Sequence, residues 1–212
     1  MAAPPETNCR NLTGRFVLNK SISDDIDALL TLQGIGWWTR KAIGLATVVL
    51  TVKEYTKDNV IHIDITQVAS GLSTTQEDRI LNWTETPHND KIFGKVRGKS
   101  RMFKKEDFSM AGPGGPDDST FLQGLKLKDM KTDTAFLDDE HVQSYVESVD
   151  GGWTAEQIWG FETIKEKKYY TRRVVVRKGD KFERVRLVYD YKGKVDDEQE
   201  DDDDGLAYGE DN

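Results

Sequence analysis

From Val142 to Tyr191 the chain runs through four β-rich segments separated by tight breaks, and this pattern constrains the fold more than any other. Val142–Val149, Trp153–Ile164, Lys168–Arg177 and Lys181–Tyr191 alternate large apolar with polar side chains, as half-buried strands do. Asp150-Gly-Gly152 and Lys178-Gly-Asp180 are turn sequences joining them. Four consecutive strands with short connections form an antiparallel meander. A meander on a small body closes on itself, because closure removes exposed sheet edges.

The earlier chain extends the same theme. Asn11–Asn19, Thr47–Tyr55, Val60–Val68, Arg79–Thr84, Lys91–Arg101 and Phe121–Lys128 read as further strands, which brings the total to about ten. Lys57-Asp-Asn59 is a turn, and a polar loop with Pro87 and Asn89-Asp90 separates the fourth and fifth strands. Two helices interrupt the strands. Ser23 to Gly34 starts on an N-cap residue, carries three acids in its first turn and spaces Ile26, Leu29 and Leu30 helically. Trp37 to Leu45 reads as a second short helix after the Gly34-Ile-Gly36 break. The expected fold is mainly β: a single antiparallel up-and-down β-barrel of about ten strands, with a helix–turn–helix lid after the first strand. A barrel of that size has an interior wider than its own side chains fill.

Composition divides the 212 residues into unequal parts. The net charge of −8 is concentrated between Asp196 and Asn212, which hold ten acids and no base. Removing them leaves 28 acids against 30 bases, a body near +2. The expected organisation is a flexible N-terminal arm over residues 1–10, a barrel over 11–194 with an insertion near 104–140, and a disordered acidic tail over 195–212. With one cysteine, Cys9, no secretory leader pattern and no run of 18 apolar residues, the expectation is a cytoplasmic protein.

Several segments together carry a family resemblance. Gly14-Arg-Phe16, Ser23-x-Asp25, Leu29-Leu30 and Gly34-Ile-Gly36-Trp-Trp-Thr-Arg-Lys-Ala42 resemble the start of the intracellular fatty-acid-binding proteins, and Arg186-Leu-Val-Tyr-Asp-Tyr191 is similar to their last strand. More broadly the chain resembles the lipocalin-like (calycin) β-barrels, including a lipocalin-like group from fungi. The resemblance implies a β-barrel with a helical lid. Aligned on Tyr189, the arginine of that family's Arg-x-Tyr pair falls at Leu187.

The candidate ligand-binding residues are Phe16, Leu29, Trp37, Trp38, Trp83, Phe93, Tyr145, Trp159, Phe161, Tyr170, Arg172 and Tyr189. Large stiff apolar walls with a few polar anchors suit an apolar ligand. Trp37 and Trp38 are adjacent on a short helix, so they cannot share one core and at least one lines the mouth or faces solvent. Arg172 and Arg173 are neighbours on a strand, so one points in and one out. If Tyr170, Val174 and Val176 face inward, Arg172 joins them and pairs with a ligand acid or enolate. Otherwise it partners Glu183 or Asp190 outside. His62 and Asp64 share a strand face, but Ile61, Ile63 and Ile65 on the other parity place that pair outside. His88 and His141 read as solvent residues, and no histidine or cysteine spacing points to a metal or a cofactor.

The expected function is non-covalent binding of a hydrophobic small molecule, a lipid, a fatty-acid-like molecule or a secondary metabolite, for carriage or storage. The alternative is a non-metal enzyme, an isomerase or cyclase, acting on a hydrophobic metabolite in the cavity. The residues favour the carrier. The bases of Lys91–Lys105 and Lys165–Arg186 suit weak contact with anionic membrane surfaces rather than nucleic acid, and a monomer is expected.

Overall fold

The computed structural model describes residues 1–195; the acidic tail, apart from Val195, lies outside the described residues. Ten antiparallel strands form one continuous curved sheet: β1 (Gly14–Leu18), β2 (Val48–Lys57), β3 (Val60–Ala69), β4 (Ser73–Ile80), β5 (Thr86–Asp90), β6 (Gly94–Lys104), β7 (Glu140–Ser148), β8 (Thr154–Ile164), β9 (Lys167–Lys178) and β10 (Lys181–Gly193). Their order is β4-β3-β2-β1-β10-β9-β8-β7-β6-β5. The expected barrel with its lid is therefore present, as a meander whose ends, β4 and β5, do not pair. Beyond Ile80 the chain crosses straight to β6: Trp83 N–H donates to the Ser100 carbonyl at 2.8 Å, and Asn82 bridges Arg101.

One expected strand is something else. Phe121–Lys128 does not enter the sheet; Pro116–Leu122 forms helix α3 and the chain then turns at Gly124. Pro116 fits the first helical turn, where no backbone donor is needed, and Asp118 accepts the Gly115 N–H at 3.1 Å. Gly124 has φ +74 and an added Cβ there would lie 2.6 Å from the Phe136 ring, so apolar periodicity gave way to the turn. The strand count survives because Thr86–Asp90 enters the sheet as β5 beside β6, while the strand expected over Arg79–Thr84 lies earlier, as β4 over Ser73–Ile80 beside β3; both stretches are polar up to Ile80. Strand propensity is weak there, and pairing alone holds them.

The lid consists of α1 (Asp27–Leu32) and α2 (Trp37–Leu45). Helix α1 starts three residues later than Ser23 suggests, because Ser23 Oγ accepts the Val188 N–H at 2.9 Å instead of capping. Leu29 and Leu30 pack with Val174, Val176 and Val185 over one barrel end. Helix α2 buries no residue; Arg40 ties it to Asp27 (3.2 Å) and to the Ile35 carbonyl (2.7 Å), and Lys20 holds the Gly44 carbonyl (2.7 Å).

Residues 1–10, expected to be a loose arm, pack with Leu12 across the opposite end. Ala3, Cys9 and Leu12 are buried there, and Ala3 N–H donates to the Lys168 carbonyl at 2.7 Å. The insertion between β6 and β7 covers the outside of the sheet. Phe121, Leu122 and Phe136 bury the outward faces of Ile158 and Val175. Asp118, fully buried, takes Arg184 at 2.7 Å and also Arg177, so α3 is clamped to β9 and β10. Strands β8 and β9 are thus covered on both faces.

Candidate functional site

Cross-strand pairing decides which side chains look into the barrel. Phe16 opposes Leu50 and Tyr191, Tyr189 opposes Tyr170, Leu187 opposes Arg172, and Arg172 opposes Trp159. Directly paired residues point to one side, so these share the interior with Phe161, Ser144 and Ser100. On the far wall Ile63 opposes Arg79, and Glu77 precedes Arg79 by two residues on β4. The interior therefore joins an aromatic wall from β8–β10 and β1 to a polar group contributed from β4, β6 and β7.

Arg172 is the centre of that group. Its guanidinium carbon sits 4.1 Å from the Trp159 ring centre, 5.6 Å from Tyr170 and 5.7 Å from Tyr189. Nε donates to Tyr170 Oη at 2.9 Å, while Nη2 is buried and has no partner. Arg79 approaches the same indole at 5.3 Å, so two cations attend one ring. Arg79 also donates to Ser144 Oγ at 2.8 Å and to Glu77 Oε2 at 2.8 and 3.2 Å. Burial opposes ionisation of Glu77, but Arg79 and Arg172 outweigh it and hold its carboxyl below the usual range. Burial pushes the Tyr170 and Tyr189 phenols up, against the pull of Arg172, so both stay neutral. Glu77, on the end strand β4, keeps 30% of its side-chain surface exposed.

A cleft of about 520 Å³ opens between the lid and the barrel rim; apolar residues such as Ile26, Ile43, Val48 and Leu187 line it together with charged ones, among them Lys20, Asp24, Asp27, Arg40 and Lys41. The Arg172 group is not on its wall. Leu187, on the wall of this cleft, is the cross-strand neighbour of Arg172.

The other candidates separate by position. Leu29 and Phe93 close the lid end within the cluster around Val176 and Trp153. Trp37 and Trp38 are 51% and 81% exposed on α2 and touch each other edge to face. Tyr145 lies opposite Lys99 with the reverse parity to Ser144, so it stands outside, against Gly112 of the insertion. Trp83 is outside too, under Lys99 and Arg101. His62 stacks on Tyr55 away from the interior. His141 is not a solvent residue: it is buried between Phe103 and Phe136, beneath the insertion. The sequence pointed to no role for Glu77, Arg79, Ser100 or Ser144, because β4 is polar on both faces and offered no periodicity to orient it.

Among the described residues, no group of three or more histidine, cysteine or acidic side chains could hold a metal, and no helix is long and apolar enough to cross a membrane. No protein-family model matches the chain. A probable pericyclase, scpY, of Mollisia scopiformis is 27% identical over 200 residues, covering 91% of this chain and 95% of that protein. The pericyclase pydY of an Acremonium species is 26% identical over 196 residues, covering 91% and 98%. Fatty-acid-binding protein 1 of Echinococcus granulosus superposes with a TM-score of 0.51 at 11% identity, covering 87% of this chain and 98% of its own. The chain thus has the fold of the fatty-acid-binding proteins, while its sequence is similar almost end to end to two fungal proteins named as pericyclases.

Proposed function

We propose that this protein is a pericyclase: an enzyme that folds a hydrophobic polyene inside the barrel and speeds its concerted ring closure. The observation that carries this reading is the near full-length similarity to scpY and pydY, spanning the lid, the barrel and the insertion alike. The interior chemistry supports it. A concerted closure asks for a reactive conformation and for polarisation of one partner rather than for proton removal, and holding two reacting ends together supplies much of the rate. Phe16, Phe161, Tyr170 and Tyr189 offer stiff walls that restrict the chain. Arg172, with Nη2 buried and unpartnered, is placed to donate to an oxygen conjugated with the polyene and to stabilise charge on it as the ring closes.

Carriage is the second reading, favoured by the cleft between the lid and the barrel rim. One experiment separates them. Metabolite extracts from cells lacking the protein are incubated with the purified protein and followed by chromatography with mass detection. A linear polyene converted to a product of equal mass and different retention supports the pericyclase; a ligand that binds and leaves unchanged supports the carrier and overturns our reading.

A further inference from the structure

The two neighbouring arginines of β9 are treated very differently. Arg173, on the outer side, receives Glu162 at 2.9 Å on two nitrogens, Thr134 Oγ at 2.8 Å and the carbonyls of Phe121 and Lys126 at 3.0 and 2.6 Å. Every direction of that guanidinium is answered. Arg172, equally out of bulk water at 5% exposure, has one phenol oxygen and three aromatic rings. The carboxylate facing this part of the interior, Glu77, is engaged side-on by Arg79. The other interior carboxylate on this wall, Glu54, is at the far end and takes the Leu12 N–H at 2.9 Å. Around Trp159 there are therefore two guanidiniums and one carboxylate.

A buried cation without a full counter-ion is costly, and a fold that satisfies Arg173 completely has the means to satisfy its neighbour. We infer that the missing partner is the substrate: it binds as an anion, through an acidic oxygen, carboxylate or enolate, conjugated with the polyene and paired with Arg172. This rests on the interior being the substrate site, as proposed above, and adds the charge and placement of the head group. Conjugation follows from the surroundings. The group that meets Nη2 lies among Trp159, Tyr170 and Tyr189, where a delocalised anion is desolvated at lower cost than a localised one. The polyene then continues along the aromatic wall toward Phe161 and Phe16, which follow Tyr170 ring to ring at 5.5 and 5.0 Å.

The test reads binding and needs no turnover, so it stands or falls separately from the pericyclase reading. Retinoate and retinol share a polyene and differ in head-group charge; their affinities are measured by quenching of tryptophan emission in the intact protein. Retinoate is expected to bind at least about tenfold more tightly, the span of a charge-assisted hydrogen bond. Arg172→Met should remove that preference while changing retinol affinity less than about threefold, and Arg172→Lys should keep part of it. Equal weakening of both probes by Arg172→Met overturns the inference, and equal affinity for the two excludes a carboxylate head group. A second measurement uses the unaltered protein and covers a variant that fails to fold. The enol of 2-octanoylcyclohexane-1,3-dione is titrated by absorbance, free and bound. Ionisation at lower pH when bound supports the anion site for an acidic enol, as retinoate does for a carboxylic acid. If neither probe is held as an anion, the inference fails.

Discussion

The guanidinium of Arg172 sits 4.1 Å above the indole of Trp159, with Arg79 approaching the same ring at 5.3 Å. Each residue fixes the other: the ring gives the cation a partner that cannot neutralise it, and the cation holds the ring against the barrel wall. Trp159 Nε1–H donates to Gln157 Oε1 at 3.1 Å, which sets the indole from its far edge.

Catalysis should depend on this pair out of proportion to stability. Arg172→Met is expected to lower kcat/KM for ring closure by about 10²–10³, the usual loss for one preorganised donor at a site of developing charge. Arg172→Lys should recover part of that rate. Steady-state kinetics checks it, beside a denaturation curve for each variant; an unchanged rate would detach Arg172 from the reaction.

The lid and the wall should respond in opposite ways. Trp38 is 81% exposed, so Trp38→Ala should change stability by no more than about 0.5 kcal/mol. Trp159 is fully buried, and Trp159→Ala should cost about 3–5 kcal/mol. Urea denaturation reads both. Stopped-flow binding should show altered entry and release for Trp38→Ala, because the residue belongs to the lid rather than to the core.

Asp118 should act as the clasp of the insertion. It answers both Arg177 and Arg184 from a fully buried position, and those cations hold its carboxyl below the usual range against the pull of burial. Asp118→Ala removes the buried counter-ion of Arg177 and Arg184, leaving Arg184 only the exposed Asp117 at 4.0 Å, and should cost about 3–5 kcal/mol. Limited proteolysis should then cut between residues 105 and 135 faster than in the unaltered protein. The linkage has a definite sign: the depressed carboxyl contributes stability above pH 3.8, lost as pH falls through its lower folded value.

His141 should make the fold sensitive to mild acid. Burial lowers its pKa from 6.5 to about 4; the Trp159 and Asp138 backbones favour its charge, yet neither ring nitrogen gains a hydrogen bond. The unfolded chain therefore binds a proton that the folded one refuses, and stability declines as pH drops from 6.5 to 4, by about 3 kcal/mol over that window. The difference in unfolding free energy between the native chain and His141→Phe, followed across that window, isolates this contribution. A constant difference would mean that His141 is not held neutral.

What could be read in advance divides along physical lines. The lid and the strands from Val142 onward announce themselves because their apolar residues keep a period and their turns carry glycine. The inward set Phe16, Trp159, Phe161, Tyr170, Arg172 and Tyr189 follows from that parity. Parity fails where both faces are covered. Ile158, Glu162, Thr171 and Arg173 point outward yet are buried, because the insertion lies over them. It also fails on β4, where Glu77 and Arg79 look inward from a strand with no apolar residue before Ile80. Trp83 misleads for a further reason: its φ of +59 turns the chain across to β6 and leaves the indole outside.

The cover that the insertion lays over β8 and β9 has a consequence for how this protein can change. Much of the packing of those strands, with the Arg173–Glu162 pair and the Asp118 clasp, lies on the outer side of the sheet. Interior residues are thereby relieved of part of their structural duty, so a small barrel can tolerate charged side chains such as Arg172, Arg79 and Glu77 on its inner face. Substitutions in the cavity can retune which molecules fit while the fold persists. Two proteins with the same outer brace can diverge in chemistry through a handful of inward positions.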